Sequence, residues 1–223
     1  MPRYYPVNLD VRDKTCLVVG GGEVALRKVR SLVEAGAQVV VVAPEVDPRL
    51  KALEGVELRE RAFRDTDLHG AFLVVAATDD PVTNRAVGRD AADFGCLVNV
   101  TDCPALSNFI VPATLRRGEL AISISTGGAS PTLAREIRRQ LESQFGEEYA
   151  DFVDVLAEVR REIFDKVPES ERRMELCRGL TGEKWVKILR EKGRDALRAE
   201  MLKSLSESSR GSQADRSQIP EGE

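Results

Sequence analysis

One histidine, His69, stands alone in 223 residues, in the run Asp67-Leu68-His69-Gly70. No cluster of His, Cys or Glu surrounds it, which argues against a metal site or a Ser/His catalytic pair. Cysteine is scarce and scattered. Cys16, Cys96, Cys103 and Cys177 form no C-x-x-C pair, so neither a disulfide framework nor a zinc site is expected. Cys16 reads instead as a small apolar residue in a strand. No apolar run approaches the roughly 18 residues of a membrane span. The start, Met1-Pro2-Arg3-Tyr4-Tyr5-Pro6, lacks the apolar segment of a signal peptide. The expectation is a cytoplasmic protein with no membrane partner. An excess of basic charge is missing too. The formal net charge of -4 argues against a general nucleic-acid binder. A hydrophobic content of 42% suits a globular core.

The most informative stretch is Thr15-Cys16-Leu17-Val18-Val19-Gly20-Gly21-Gly22-Glu23-Val24-Ala25. It reads as an apolar strand, a glycine turn and a helix start. Gly20, Gly22 and Ala25 occupy the three places of the dinucleotide fingerprint G-x-G-x-x-(G/A). Gly20 allows a tight turn, Gly22 lets a pyrophosphate approach the backbone, and Ala25 lets helix and strand pack closely. The helix N-terminus offers free N–H groups and a positive dipole end.

Strand and helix signals then alternate. Leu17–Val19 reads as a strand, followed by a helix with Ala25, Val29, Leu32 and Val33 on one face and Gly36 at its end. Strands are expected at Val39–Ala43, Val56–Leu58, Phe72–Ala77 and Leu97–Val100, with a helix from Val82 to Phe94. The fold class is α/β, a Rossmann-like parallel doubly wound sheet. After Asp102 the pattern changes. Phe109-Ile110-Val111 and Leu120–Ser125 look strand-like, and Ser130-Pro131 opens a helix. From Glu147 the chain reads as helical, with further helices after Pro168 and Thr181. From Ser206 it lacks apolar periodicity, so residues 206–223 are expected to be a disordered tail.

Several side chains could carry chemistry. Glu45 lies 23 residues beyond Gly22, where a carboxylate commonly binds adenosine ribose hydroxyls. No arginine follows until Arg49, which favours NAD over NADP. The alternative is a solvated loop residue after Pro44. Asp102 follows a parallel strand, where open α/β sheets place their sites. It could take up a proton or simply cap a turn before Pro104. Ser125-Thr126-Gly127-Gly128 is a second, anion-friendly turn feeding a helix. On that helix Arg135, Arg138 and Arg139 share one side, with Leu133, Ile137 and Leu141 opposite. That side is either cationic recognition surface or a solvated face paired with Glu136 and Glu142.

Taken with Pro6-Val7-Asn8-Leu9, Ala76-Ala77-Thr78-Asp79, Asn108-Phe109-Ile110-Val111-Pro112-Ala113 and Ser125-Thr126-Gly127-Gly128-Ala129-Ser130-Pro131, the chain resembles the precorrin-2 dehydrogenase family, the NAD-dependent module of siroheme synthases. The resemblance implies an NAD-binding Rossmann domain (residues 1–113), a dimerisation region (114–146) and a helical domain (147–205). It implies oxidation of precorrin-2 to sirohydrochlorin with NAD as hydride acceptor, a homodimer, and in some members iron insertion. Glu23 and Val24 match the loop contacting the dinucleotide, and Pro44 and Glu45 its adenosine-side contacts. Asp102 matches the catalytic aspartate. Thr126 stands where many relatives carry serine beside the substrate cavity. A polycarboxylate substrate draws attention to Arg116, Arg117 and the Arg135 face. The chain is expected to be the form without a fused methyltransferase domain.

Two other readings compete with this one. A Rossmann module could sense NAD and regulate a partner without chemistry, or the chain could oxidise another small substrate. The second glycine loop and Asp102 favour the enzyme.

Overall fold

The computed structural model describes residues 3–216. Backbone contacts divide the chain into two units, 1–111 and 112–223.

In the first unit β1 (Thr15–Val19), α1 (Glu23–Glu34), β2 (Gln38–Val42), α2 (Pro48–Lys51), β3 (Val56–Arg59), β4 (Leu73–Ala76), α3 (Pro81–Asp93) and β5 (Leu97–Val100) follow in order. The five strands form one parallel sheet ordered β3-β2-β1-β4-β5. Alternation of side chains sorts the apolar runs onto two faces. Cys16, Val18, Val39, Val41, Leu73 and Val75 pack with Ala25, Leu26 and Val29 of α1. Leu17, Val19, Val40, Val42, Val74 and Ala76 pack with Val87 and Ala91 of α3. The strand order reverses between β1 and β4. In open sheets a ligand crevice forms at such a switch point, outside the carboxyl ends of the strands.

The expected strand at Phe109–Val111 is not formed; the next strand starts at Ala113. Side chains explain the difference. Asn108 Oδ1 accepts from the Val98 N–H (2.8 Å) and its Nδ2 donates to Cys96 O (2.9 Å). Ser107 Oγ accepts from the Val100 N–H (2.9 Å). Asn99 Nδ2 donates to Phe109 O (3.1 Å). With the Asn108 N–H, which donates to Val98 O (3.0 Å), these side chains close the free edge of β5 in place of a strand.

The second unit starts with the antiparallel pair β6 (Ala113–Arg117) and β7 (Leu120–Ile124), joined at Gly118-Glu119. It continues through α4 (Pro131–Gln144), α5 (Glu148–Lys166), α6 (Ser170–Gly179), α7 (Glu183–Lys192) and α8 (Arg194–Arg216). Phe152, Val155, Val159 and Ile163, at helical spacing on α5, pack with Leu176, Trp185, Val186, Leu189, Leu197 and Met201. Trp185 Nε1 donates to Gly179 O at 2.9 Å, so the buried indole keeps a partner. The pair β6–β7 and the helices lie in one unit. The backbone of α8 stays helical past Ser206, where the sequence predicts a disordered tail. Extending an existing helix costs little per residue compared with starting one. The rest of that expectation, residues 217–223, lies outside the described residues.

Candidate functional site: a groove at the switch point

A groove of about 600 Å³ opens at the carboxyl ends of β1, β2 and β4. It is lined by Gly20, Gly21 and Gly22, by the run from Ala43 to Asp47, and by Ala77, Thr78 and Asp79. Three strand ends therefore contribute, each followed by a loop.

These loops are tied to one another. The Gly20 N–H donates to Val42 O, and the Asp47 N–H to Gly21 O, each at 2.9 Å. Asn84, buried on α3, pins the third loop. Its Oδ1 accepts from the Thr78 N–H (3.0 Å) and Oγ1 (2.8 Å), and its Nδ2 donates to Thr78 O (3.0 Å). A buried amide is retained in a core when its polar atoms are satisfied. The sequence alone does not single out Asn84, because one asparagine on a helix gives no signal of a contact six residues back.

Two of the three glycines are required by the protein itself. Gly20 has φ +128°, and a Cβ there would lie 2.2 Å from Ala77 O. A Cβ on Gly21 would lie 2.0 Å from Glu45 O. Gly22 differs. Its φ of -92° and ψ of -166° suit any residue, and a Cβ there would meet nothing within 4 Å. Nothing in the chain demands glycine at this position, and the missing side chain leaves the backbone open to approach from outside the chain.

Gly22 is also the N-cap of α1, and no side chain caps that helix. Asp80 caps α3 through the Val82 and Thr83 N–H groups, and Ser130 caps α4 through the Leu133 N–H. The first-turn donors of α1 are thus left for a ligand.

Of the residues expected to hold a dinucleotide, Gly20, Gly22, Pro44 and Glu45 line the groove together. Glu23 and Val24 stand exposed on the first turn of α1, outside its lining. Glu45 forms no ion pair among the described residues. Asp102 sits in the turn after β5 and is exposed; it does not line the groove. The Thr101 N–H donates to Ala76 O (3.0 Å) and the Cys103 N–H to Val100 O (3.2 Å). The 3-10 turn Pro104–Leu106 starts at Cys103 without a side-chain cap. The Asp102 carboxylate makes no hydrogen bond or ion pair among the described residues, so the turn-cap alternative has no contact behind it.

The remaining candidates belong to the second unit. Ser125 Oγ accepts from the Gly127 N–H (3.1 Å), and Thr126 Oγ1 accepts from the Ser130 N–H (3.0 Å). Thr126 keeps the hydroxyl that closes this loop. Arg117 is not free for a ligand: its Nε donates to Phe145 O (3.1 Å) and its Nη1 lies 3.3 Å from Glu147. Arg138 pairs with Glu142, and Arg139 with Glu136 at 3.8 Å. Arg116 and Arg135 have no acidic partner among the described residues. The face of α4 opposite the arginines packs only in part, since Leu133 is half exposed.

A family described as putative NAD(P)-binding matches residues 7–113, and one described as sirohaem biosynthesis protein central matches residues 117–144. The siroheme synthase of Methylobacillus flagellatus is 40% identical over 199 residues, covering 86% of this chain and 43% of that protein. The siroheme synthase of Methylococcus capsulatus is 41% identical over 169 residues, covering 74% of this chain and 36% of that protein. The chain thus spans about two fifths of the length of these curated relatives. Among solved structures, SirC, a precorrin-2 dehydrogenase, matches with a TM-score of 0.72 and 30% identity. That match covers 92% of this chain and all of SirC.

Proposed function

The chain belongs to the precorrin-2 dehydrogenase family, and we propose that it oxidises precorrin-2 to sirohydrochlorin with NAD+ as hydride acceptor. The observation that carries the cofactor half is Gly22, a glycine that the fold does not need, set at an uncapped helix N-terminus in the switch-point groove. The groove residues fit a dinucleotide. Gly22 and the first turn of α1 would face the pyrophosphate, while Pro44 and Glu45 would face the adenosine. When bound there, NAD+ supplies the site that takes up the hydride.

The oxidation also releases a proton. Asp102, with an uncommitted carboxylate at the carboxyl edge of the sheet, would accept it or hold a pyrrole N–H in place. Arg116 and Arg135, free of acidic partners, would meet substrate carboxylates. Within the second unit, the turn of Ser125, Thr126 and Gly127 would also contact substrate. The proposal is confined to the oxidation. Anaerobic turnover of precorrin-2 that depends on added NAD+ tests the reading; equal turnover without NAD+ would contradict it.

Glu45 is expected to set cofactor choice. Glu45→Ala removes the ribose hydrogen bonds and the repulsion of a 2′-phosphate, so the NAD+/NADP+ ratio of kcat/KM should fall by about tenfold. An unmoved ratio would make Glu45 a plain loop residue.

The proposal includes a homodimer. Leu133 of α4 and Val111 are each about half exposed, at 51% and 50%, and apolar side chains left at the surface are candidates for burial against a second copy. Light scattering at micromolar concentration should give twice the chain mass; a monomer mass would count against the dimer.

A further inference from the structure

No lysine or arginine lines the groove, yet one arginine reaches its rim. Asp47 lines the groove and starts α2. Its Oδ1 accepts from the Arg49 backbone N–H at 2.8 Å and from Nε at 3.0 Å, and its Oδ2 from Nη2 at 2.6 Å. The same Nη2 donates to Glu23 Oε2 at 2.7 Å. Glu23 is the first residue of α1, directly after Gly22. The arginine therefore links the β2–α2 loop to the helix start that faces the groove. Asp47 is itself anchored by its N–H to Gly21 O, and its carboxylate is only 19% exposed. The guanidinium holds that carboxyl down to about 2, so it is charged wherever the protein is folded near neutrality.

Beside the groove thus stand one guanidinium and three carboxylates: Asp47 in its lining and Glu23 on the first turn of α1, which both pair with the arginine, and Glu45 in its lining, which has no ion-pair partner among the described residues. An arginine after the second strand is the usual means of receiving a ribose 2′-phosphate, and its planar fork suits that anion. Here the Nε and Nη2 edge of that fork is already taken by Asp47 and Glu23. We propose that Arg49 is a latent ligand for a cofactor 2′-phosphate, held out of use by Asp47 and Glu23, and that this pairing helps set the preference for an unphosphorylated ribose. The proposal rests on the reading of the groove as the NAD site.

Exposed ion pairs are individually weak, and Glu23 and Arg49 are more than half exposed. Their pairing is therefore a bias that can be reset. In the double variant Glu23→Gln, Asp47→Asn, the new asparagine side chain keeps the acceptor that caps α2, and both side chains keep their size. NAD+ and NADP+ are titrated calorimetrically into the full chain, this double variant, and a triple variant that adds Arg49→Gln. The double variant should shift relative affinity toward NADP+ by about tenfold or more, and the triple variant should lose that gain. A gain that survives Arg49→Gln would overturn the proposal, because relief of repulsion alone would explain it. A double variant that binds NAD+ with unchanged discrimination would overturn it as well. An unsubstituted chain that binds no NAD+ would refute the groove assignment itself.

Discussion

Gly22→Asp should abolish NAD+ binding in a protein that remains folded. The substitution is tolerated by the fold, since the Gly22 backbone is extended and its Cβ direction is open. Aspartate is moreover among the best N-cap residues, so the melting temperature should hold or rise slightly. The same features make it incompatible with the ligand. The carboxylate would take up the first-turn N–H groups of α1 and place a negative charge where the pyrophosphate lies. Like charges set against each other across an interface cost several kcal/mol, or about a hundredfold to a thousandfold in affinity. Calorimetric titration beside a thermal melt separates the two effects. Undiminished NAD+ affinity in a folded variant would remove the groove as the cofactor site.

Asp102→Asn should fold, bind NAD+ and turn over precorrin-2 very slowly. The carboxylate has no hydrogen-bond or ion-pair partner among the described residues, and the following 3-10 turn starts from Cys103. Stability therefore has little to lose. Asparagine keeps the size of the side chain and most of its hydrogen bonding but cannot act as the base. Losing a positioned general base costs about 10²–10⁴-fold in rate, so kcat should fall by that range while NAD+ affinity stays near that of the parent. A kcat within a few-fold of the parent would reject the catalytic role.

Local signals made much of the fold legible. Val39–Ala43 announced a strand buried on both faces, observed as Gln38–Val42, and Leu97–Val100 matches β5 residue for residue. The glycine run places Gly20 and Gly22 at the groove because the fingerprint encodes strand, turn and helix in one short segment. Side-chain substitutes for backbone pairing were not legible. Phe109-Ile110-Val111 carries apolar, β-branched residues and so mimics a strand. The edge of β5 it would have joined is taken by Asn108 and Ser107. Nor could spacing reveal that Asn84 holds Thr78, or that Arg49 bridges to Glu23 across 26 positions. Pairs of this kind depend on the sheet bringing distant loops together. Arg116 and Arg117 look equivalent in sequence, yet alternation along β6 leaves Arg116 exposed and sends Arg117 to Phe145 and Glu147.

The most direct measurement is an anaerobic incubation of the purified chain with precorrin-2 and NAD+, recording the tetrapyrrole spectrum and reduced nicotinamide together. The account predicts sirohydrochlorin and NADH in equal amounts, both suppressed by Gly22→Asp and by Asp102→Asn. Binding of NAD+ with neither product formed in the unsubstituted chain would contradict it and leave a cofactor-sensing module in its place.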